Sequence, residues 1–212
     1  MYINYSQIRS IENTIKQIKP NCKFLFVTKT RPINIIDDLI KAGYRFFGEN
    51  RVQEAKNKYS SLSKEIELHL IGPLQTNKTK EALRLFDVIQ TLDRKKIVLE
   101  IVKQKALIDN IKTNHFYIQV NIGDEPQKSG VKISETKNFY NFCLENKLEI
   151  KGLMCIPPNT TNPEFFFQKL KSIRNDIDPN LELSMGMSGD YIDALSEGSD
   201  MIRIGSLIFK DD

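Results

Sequence analysis

Apolar and polar positions along the chain follow two alternating periods, which predict a regular succession of strands and helices. Short apolar or β-branched runs, typical of buried strands, occupy residues 24–28, 45–48, 67–71, 88–92, 115–122, 149–156, 182–185 and 201–204. Amphipathic or turn-free segments suited to helices occupy residues 5–18, 34–42, 50–62, 76–85, 95–107, 133–146, 164–176 and 190–197. The pattern therefore predicts eight strands, each separated from the next by a helix.

Strict alternation of strand and helix requires parallel strands joined by right-handed crossovers, in either a closed barrel or an open doubly wound sheet. No glycine cluster of the dinucleotide-binding type follows the first strand, and no P-loop occurs. Eight units in 212 residues match an α/β fold, a single (β/α)8 TIM barrel that spans residues 1–212 as one domain. The sequence has no eighth helical pattern after residue 204, so we expect the leading helix at residues 5–18 to cover that side.

The composition argues against some classes of partner and predicts the cellular compartment. The net charge is +4, but the lysines are spread along the chain rather than gathered in a basic arm, which argues against a nucleic-acid partner. No apolar stretch reaches membrane-spanning length and no secretory leader is recognisable, so we expect no membrane partner. Three distant cysteines and only two histidines predict free thiols, a cytoplasmic protein and no metal site.

The first predicted strand ends in a lysine. The run from Phe24 to Thr28 leads into Lys29, and Pro32 forces the backbone to turn shortly afterwards. In such barrels the functional groups lie at the carboxyl ends of the strands, and an amine placed there can form an imine with a carbonyl compound. An ordinary surface lysine after a strand is the alternative interpretation of this segment taken alone.

The last two strands carry the complementary features. Ser188 follows the seventh strand, and Gly205-Ser206 follows the eighth, where barrels of this class usually hold a phosphate. Arg203 lies within an apolar strand, and a buried arginine is unfavourable unless it is paired. It could therefore pair with a structural carboxylate or face a ligand at the barrel mouth.

Taken together, these segments resemble the YggS/PROSC family of pyridoxal-phosphate-binding proteins, also called pyridoxal phosphate (PLP) homeostasis proteins. The resemblance runs in order through nearly the whole chain, at residues 27–32, 47–54, 69–78, 120–125, 128–130, 152–157, 183–188 and 201–209. It implies the fold-type III barrel found in the N-terminal domain of alanine racemase. It also implies that Asn50 and Met185 line the cofactor pocket and that Lys128 lies near the barrel mouth.

The resemblance further implies a role for each chemical feature of the strand ends. Lys29 is expected to hold pyridoxal 5'-phosphate as a Schiff base. Ser188 and Gly205-Ser206 are expected to bind the phosphate, and Arg203 to face the pyridine nitrogen.

The arginine bears on whether the protein is an enzyme. Arginine stays protonated, so it donates to the pyridine nitrogen and leaves the ring a weaker electron sink than a pyridinium. Racemisation also needs a second base, which the alanine racemases take from a second domain. We therefore expect a monomeric, non-catalytic PLP-binding protein involved in PLP homeostasis, with PLP-dependent apo-enzymes as partners. A low-activity racemase and a Schiff-base aldolase remain the alternatives.

Overall fold

The computed structural model describes residues 2–60, 62 and 66–210, and within them the chain alternates strand and helix. The strands are β1 (Tyr2–Ile3), β2 (Lys23–Val27), β3 (Phe46–Glu49), β4 (Glu67–Leu70), β5 (Val88–Leu92), β6 (His115–Asn121), β7 (Val131–Lys132), β8 (Ile150–Cys155), β9 (Glu182–Ser184), β10 (Met201–Ile204) and β11 (Phe209–Lys210). The helices are α1 (Tyr5–Ile18), α2 (Ile33–Lys41), α3 (Val52–Tyr59), α4 (Thr79–Leu85), α5 (Lys95–Leu107), α6 (Thr136–Glu145), α7 (Pro163–Ile177) and α8 (Tyr191–Ser196).

Eight of these strands close into a parallel barrel in the order β2-β3-β4-β5-β6-β8-β9-β10. Closure comes from β10 beside β2, where Met201 lies opposite Lys23 and Ile204 opposite Phe26. The predicted (β/α)8 barrel is therefore confirmed. The short strand β7 adds to β6, and β1 pairs antiparallel with β11. These two-residue strands were not predicted, since they are too short to show a period.

Side chains alternate between two faces of each barrel strand, and this alternation creates two separate cores. Outward-facing residues such as Phe26 and Phe47 pack against the helices in one large cluster. Inward-facing residues fill the barrel, where Val88, Tyr117 and Met154 form a second, small apolar cluster. A residue's position in the strand thus decides whether its side chain can reach the barrel mouth.

Among the described residues no helix follows β10, and helix α1 covers that side of the barrel. Its apolar side chains Ile8, Ile11 and Ile15 are buried at helical spacing, and the helix packs against α8. Lys19, just after the helix, binds Asp200 at 2.8 Å and the Gly198 carbonyl at 3.0 Å. The expectation for the leading helix is confirmed.

The other predicted helices are present with small differences at their ends. The segment expected at residues 50–62 is helical only as α3, and its predicted end includes Ser61, which lies outside the described residues. The segment at residues 76–85 opens with a single 3-10 turn before α4. In the part of the chain that the structure describes, no helix is long and apolar enough to cross a membrane. A cytoplasmic location stays a prediction.

Candidate functional site

A cavity of about 390 Å³ opens at the carboxyl ends of the barrel strands, within the range typical of small-molecule sites. Most of the residues that line it follow strands β2, β3, β9 and β10. Six of the seven predicted site residues are among them, namely Lys29, Asn50, Ser188, Arg203, Gly205 and Ser206. The fold therefore brings together side chains that are as much as 177 positions apart in the sequence, from residue 29 to residue 206.

Lys29 reaches this cavity from the turn that follows β2. Its side chain is exposed, and its Nζ makes no hydrogen bond or ion pair with the residues that the structure describes. The next residue, Thr30, has a φ of 61°, which a β-branched side chain rarely adopts. The amine is thus available to a ligand, on a backbone segment whose conformation must be held by its surroundings.

The loops after β9 and β10 present unpaired N–H groups to the same cavity. The backbone N–H groups of Ser188, Gly189, Gly205 and Ser206 have no hydrogen-bond acceptor within the described residues. The hydroxyls of Ser188 and Ser206 add two further potential donors. A Cβ at Gly205 would lie 3.0 Å from the Val27 carbonyl oxygen, so a larger residue would press on the neighbouring strand. Clustered N–H donors of this kind suit a phosphate.

The loop that carries Ser188 is fixed by a carboxylate. Asp190 accepts a hydrogen bond from the Met187 N–H at 2.6 Å, and its own N–H donates to the Met187 carbonyl at 3.1 Å. Burial raises the pKa of Asp190. This closed turn holds Ser188 and Gly189 at the cavity wall.

Arg203 lies inside the barrel below the cavity and is only 3 % exposed. Its Nη1 donates to Ser184 Oγ and its Nη2 to the Cys155 carbonyl, both at 2.8 Å. Burial lowers the pKa of the guanidinium. Within the described residues no carboxylate forms a direct ion pair with Arg203, and its Nε has no protein acceptor. The guanidinium is thus held by neutral partners, and its Nε–H is among the donors that they leave unused.

A row of hydrogen bonds runs from Arg203 through the barrel interior. Ser184 Oγ donates to Gln90 Oε1 at 2.6 Å, Gln90 Nε2 lies 2.7 Å from His69 Nδ1, and His69 Nε2 lies 2.9 Å from Glu67 Oε1. We call these five residues the interior polar chain. Burial lowers the pKa of His69, whereas the hydrogen bond from His69 holds the pKa of Glu67 below its usual range.

Met185 is the predicted site residue that does not line the cavity. It is fully buried in the core between barrel and helices, on the same face as Leu183, because side chains alternate at this strand end. Met187, two residues later, lines the cavity instead. The sequence pattern did not identify Met187 or Gly189, although both lie in the loop of Ser188.

The backbone of the loop after β4 packs against the backbone of Asn50 in the cavity wall. A Cβ at Gly72 would lie 2.2 Å from the Asn50 carbonyl oxygen. Only glycine therefore allows the loop after β4 to approach the loop after β3 this closely.

Lys128 borders a neighbouring cavity of about 620 Å³ that shares Met187 and Gly189 with the Lys29 cavity. Its Nζ donates to the Pro157 carbonyl at 3.1 Å and forms an ion pair with Glu125. Lys128 therefore lies beside the Lys29 cavity and not within its lining.

The family model described as "Alanine racemase, N-terminal domain" matches residues 3–212. A pyridoxal phosphate homeostasis protein from Aquifex aeolicus is 39 % identical over 200 residues, covering 89 % of this chain and 87 % of the relative. The protein of the same name from Escherichia coli K12 is 36 % identical over 200 residues, covering 87 % of this chain and 83 % of the relative.

Solved structures agree with this relationship. PipY of Synechococcus elongatus, 28 % identical, superposes with a TM-score of 0.87 without PLP and 0.82 with PLP bound, and each match covers 97 % of this chain and 99 % of PipY. The alanine racemase of Acinetobacter baumannii shares the fold at 18 % identity and a TM-score of 0.77, over 97 % of this chain and 61 % of that chain. The chain belongs to the pyridoxal phosphate homeostasis protein family, within the proteins that contain the alanine racemase N-terminal domain.

Proposed function

We propose that this protein binds pyridoxal 5'-phosphate covalently through Lys29 and serves PLP homeostasis rather than amino-acid turnover. The observation that carries the proposal is the single cavity in which an unpaired lysine amine, a buried arginine and four unpaired N–H groups meet. The names of its relatives and the PLP-bound structure of PipY support the same ligand. We take residues 1–212 as one cofactor-binding barrel domain.

The residues fit the cofactor group by group. The amine of Lys29 supplies the nucleophile for the aldehyde. The N–H groups and hydroxyls of Ser188, Gly205 and Ser206 supply donors for the phosphate. Arg203 has an unpaired Nε–H at the floor of the cavity, which suits an acceptor nitrogen on the ring. Asn50 forms part of the wall, and Met185 lies in the core between barrel and helices.

The chain's own groups favour storage over catalysis. Bound PLP supplies an electron sink to an attached amino acid, and the strength of that sink depends on the charge of its ring nitrogen. Arg203 keeps its proton and so cannot accept one from the ring. Among the described residues that line the cavity, Lys29 and Arg203 alone are ionisable, so a second base for racemisation is absent from this set.

The proposed partners are PLP and the apo-enzymes that receive it, with the protein acting as a monomer. A carrier must let its ligand leave, and the exposed Lys29 is accessible to an incoming amine or to water. Transfer to an apo-enzyme can be followed by the recovery of that enzyme's activity after mixing with the loaded protein.

Borohydride reduction of the PLP-loaded protein, followed by peptide mass mapping, tests the covalent site. We expect the phosphopyridoxyl group on Lys29 and a visible imine band that Lys29→Ala abolishes. The Lys128→Ala variant is the matched control and should keep the band. A label found only on Lys128 or another lysine would refute the assignment, and a protein that stays colourless with PLP would favour the aldolase alternative.

A further inference from the structure

We propose that Glu54 and Lys58, anchored by buried Glu49, are positioning residues that fix the backbone on both sides of Lys29. The inference rests on the proposed function, since it assigns these residues to the binding of PLP through Lys29. Glu49 ends β3, and Glu54 and Lys58 lie on α3, which follows β3 and contacts it. They line no part of the cavity and act on the ligand only through Lys29.

Lys58 and Glu54 contact the residues that flank Lys29. The ammonium of Lys58 donates to the Thr28 carbonyl oxygen at 2.8 Å. On the other side, Glu54 Oε1 accepts a hydrogen bond from the Thr30 backbone N–H. Each neighbour of Lys29 in the chain is therefore held by a charged side chain, and hydrogen bonds to charged groups are stronger than neutral ones.

Glu49, Glu54 and Lys58 form a cluster of ion pairs. Glu54 and Lys58 are four residues apart on α3, in the order that favours an ion pair along a helix. Lys58 also lies 3.0 Å from Oε1 of Glu49 at the end of β3. The Lys58 side chain is 12 % exposed and that of Glu49 is fully buried, so water screens this cluster little.

The cluster contacts a residue of unusual backbone conformation, Thr30. Thr30 has a φ of 61°, in the left-handed region that β-branched residues avoid. Such a residue persists only where its surroundings determine its conformation, and the contact from Glu54 falls on its N–H group. Without Glu54 and Lys58, the turn would be free to relax and to carry the Lys29 side chain away from the cavity.

Glu49 is a buried acid that its neighbours stabilise. Burial raises the pKa of Glu49, while Lys58 and the Thr28 hydroxyl at 2.8 Å act against that shift. The Thr28 hydroxyl also lies 2.6 Å from the hydroxyl of Tyr59 at the end of α3. Glu49 thus connects β3, β2 and α3, and makes the position of Lys29 depend on the docking of α3. A pre-organised amine needs less ordering when the ligand binds.

Two variants test separately the contact of Glu54 with Thr30 and the contact of Lys58 with Thr28. Glu54→Ala removes the acceptor of the Thr30 N–H. The double variant Glu49→Gln/Lys58→Met removes both charges of the buried pair together, which avoids leaving one charge buried alone. Lys56→Met is the matched control, because Lys56 lies on the same helix, is 55 % exposed and pairs with Glu81 instead.

The first measurement needs no cofactor and uses amide hydrogen exchange of the unloaded protein. In Glu54→Ala, we expect the Thr30 amide to exchange about 10- to 150-fold faster, the factor equivalent to a hydrogen bond to a charged group. The amide of Ile89 in β5 should keep its rate. Glu54→Gln retains an oxygen acceptor and should restore protection at Thr30. Equal acceleration of both amides, or none at Thr30, would overturn the proposal.

The second measurement is the PLP concentration that half-saturates the imine band. It should rise about 10-fold or more in Glu54→Ala and in the double variant, and stay unchanged in Lys56→Met. Unchanged half-saturation in both cluster variants would overturn the positioning role while leaving the proposed function intact. Failure of the unsubstituted protein to form the band would instead refute the proposed function.

Discussion

Replacing Arg203 by leucine should weaken PLP binding and shift the visible spectrum without unfolding the protein. The substitution removes the hydrogen bonds from the guanidinium to Ser184 and to the Cys155 carbonyl. Ser184 keeps its bond to Gln90, whereas the carbonyl of Cys155 loses the bond from the guanidinium. Its desolvation would cost about 1–3 kcal/mol, and relief of the buried charge opposes that cost. The free energy of unfolding should therefore change by less than about 2 kcal/mol.

The effect on the ligand follows from the hydrogen bond that the Nε–H of Arg203 is proposed to donate to it. A hydrogen bond with one charged partner contributes about 1.5–3 kcal/mol, which corresponds to about a 10- to 150-fold change in Kd. The imine and the phosphate donors remain, so Arg203→Leu should still bind PLP. Titration by visible absorbance measures Kd and band position together, and thermal unfolding shows that the variant is folded.

Two further variants make the result interpretable. Arg84→Leu, the same substitution at an exposed position of α4, should change neither Kd nor the spectrum. Arg203→Lys keeps the charge but loses the planar guanidinium with its several N–H donors. Its Kd for PLP should lie between those of the unsubstituted protein and Arg203→Leu. A folded Arg203→Leu protein that binds no PLP at all, or one with unchanged Kd and spectrum, would refute the reasoning.

Three other outcomes are expected. Incubation of the loaded protein with L-alanine in deuterium oxide should give little Cα–H exchange above a Lys29→Ala control, and robust exchange would favour the racemase alternative. Burial lowers the pKa of His69, so the unfolded state binds the proton first and stability falls as pH drops below about 6.5. His69→Gln should flatten that slope in pH-dependent unfolding. Gly72→Ala should lower the free energy of unfolding by about 1–3 kcal/mol, because a Cβ there meets backbone at 2.2 Å, whereas Gly189→Ala meets nothing within 4 Å and should be nearly neutral in denaturant titration.

The barrel could be predicted because its strands and helices have clear periods and regular spacing. Lys29 and Ser188 could be singled out for a related reason, since each lies in the loop after a strand whose end the pattern marks. Met185 was assigned to the pocket by the family resemblance and not by this pattern, and the alternation of side chains at the end of β9 turns it toward the helices instead. A difference of one position in a strand reverses the face, and sequence patterns locate strand ends only approximately.

The role inferred for α3 could not be predicted from sequence, for a different reason. Glu54 and Lys58 are typical surface residues of a polar helix, and nothing local shows that they will be covered. Their contacts with Thr28 and Thr30 exist only because α3 docks beside β2 and β3. Charges at such helix–strand contacts depend on tertiary packing, which periodicity does not encode.

The interior polar chain has a direction. Arg203 can only donate, and the Ser184 hydroxyl accepts its hydrogen bond. The same hydroxyl donates to the oxygen of Gln90, so the amide nitrogen of Gln90 must donate to His69 Nδ1. His69 consequently carries its proton on Nε2 and directs it to Glu67 at the opposite end of the barrel. Every dipole in the row therefore points the same way, from the cation at the ligand end to the carboxylate at the far end. Arg203 at the cavity floor and Glu67 at the far end of the barrel are thus joined by one continuous row of hydrogen bonds, with a cation at the donating end and a carboxylate at the accepting end.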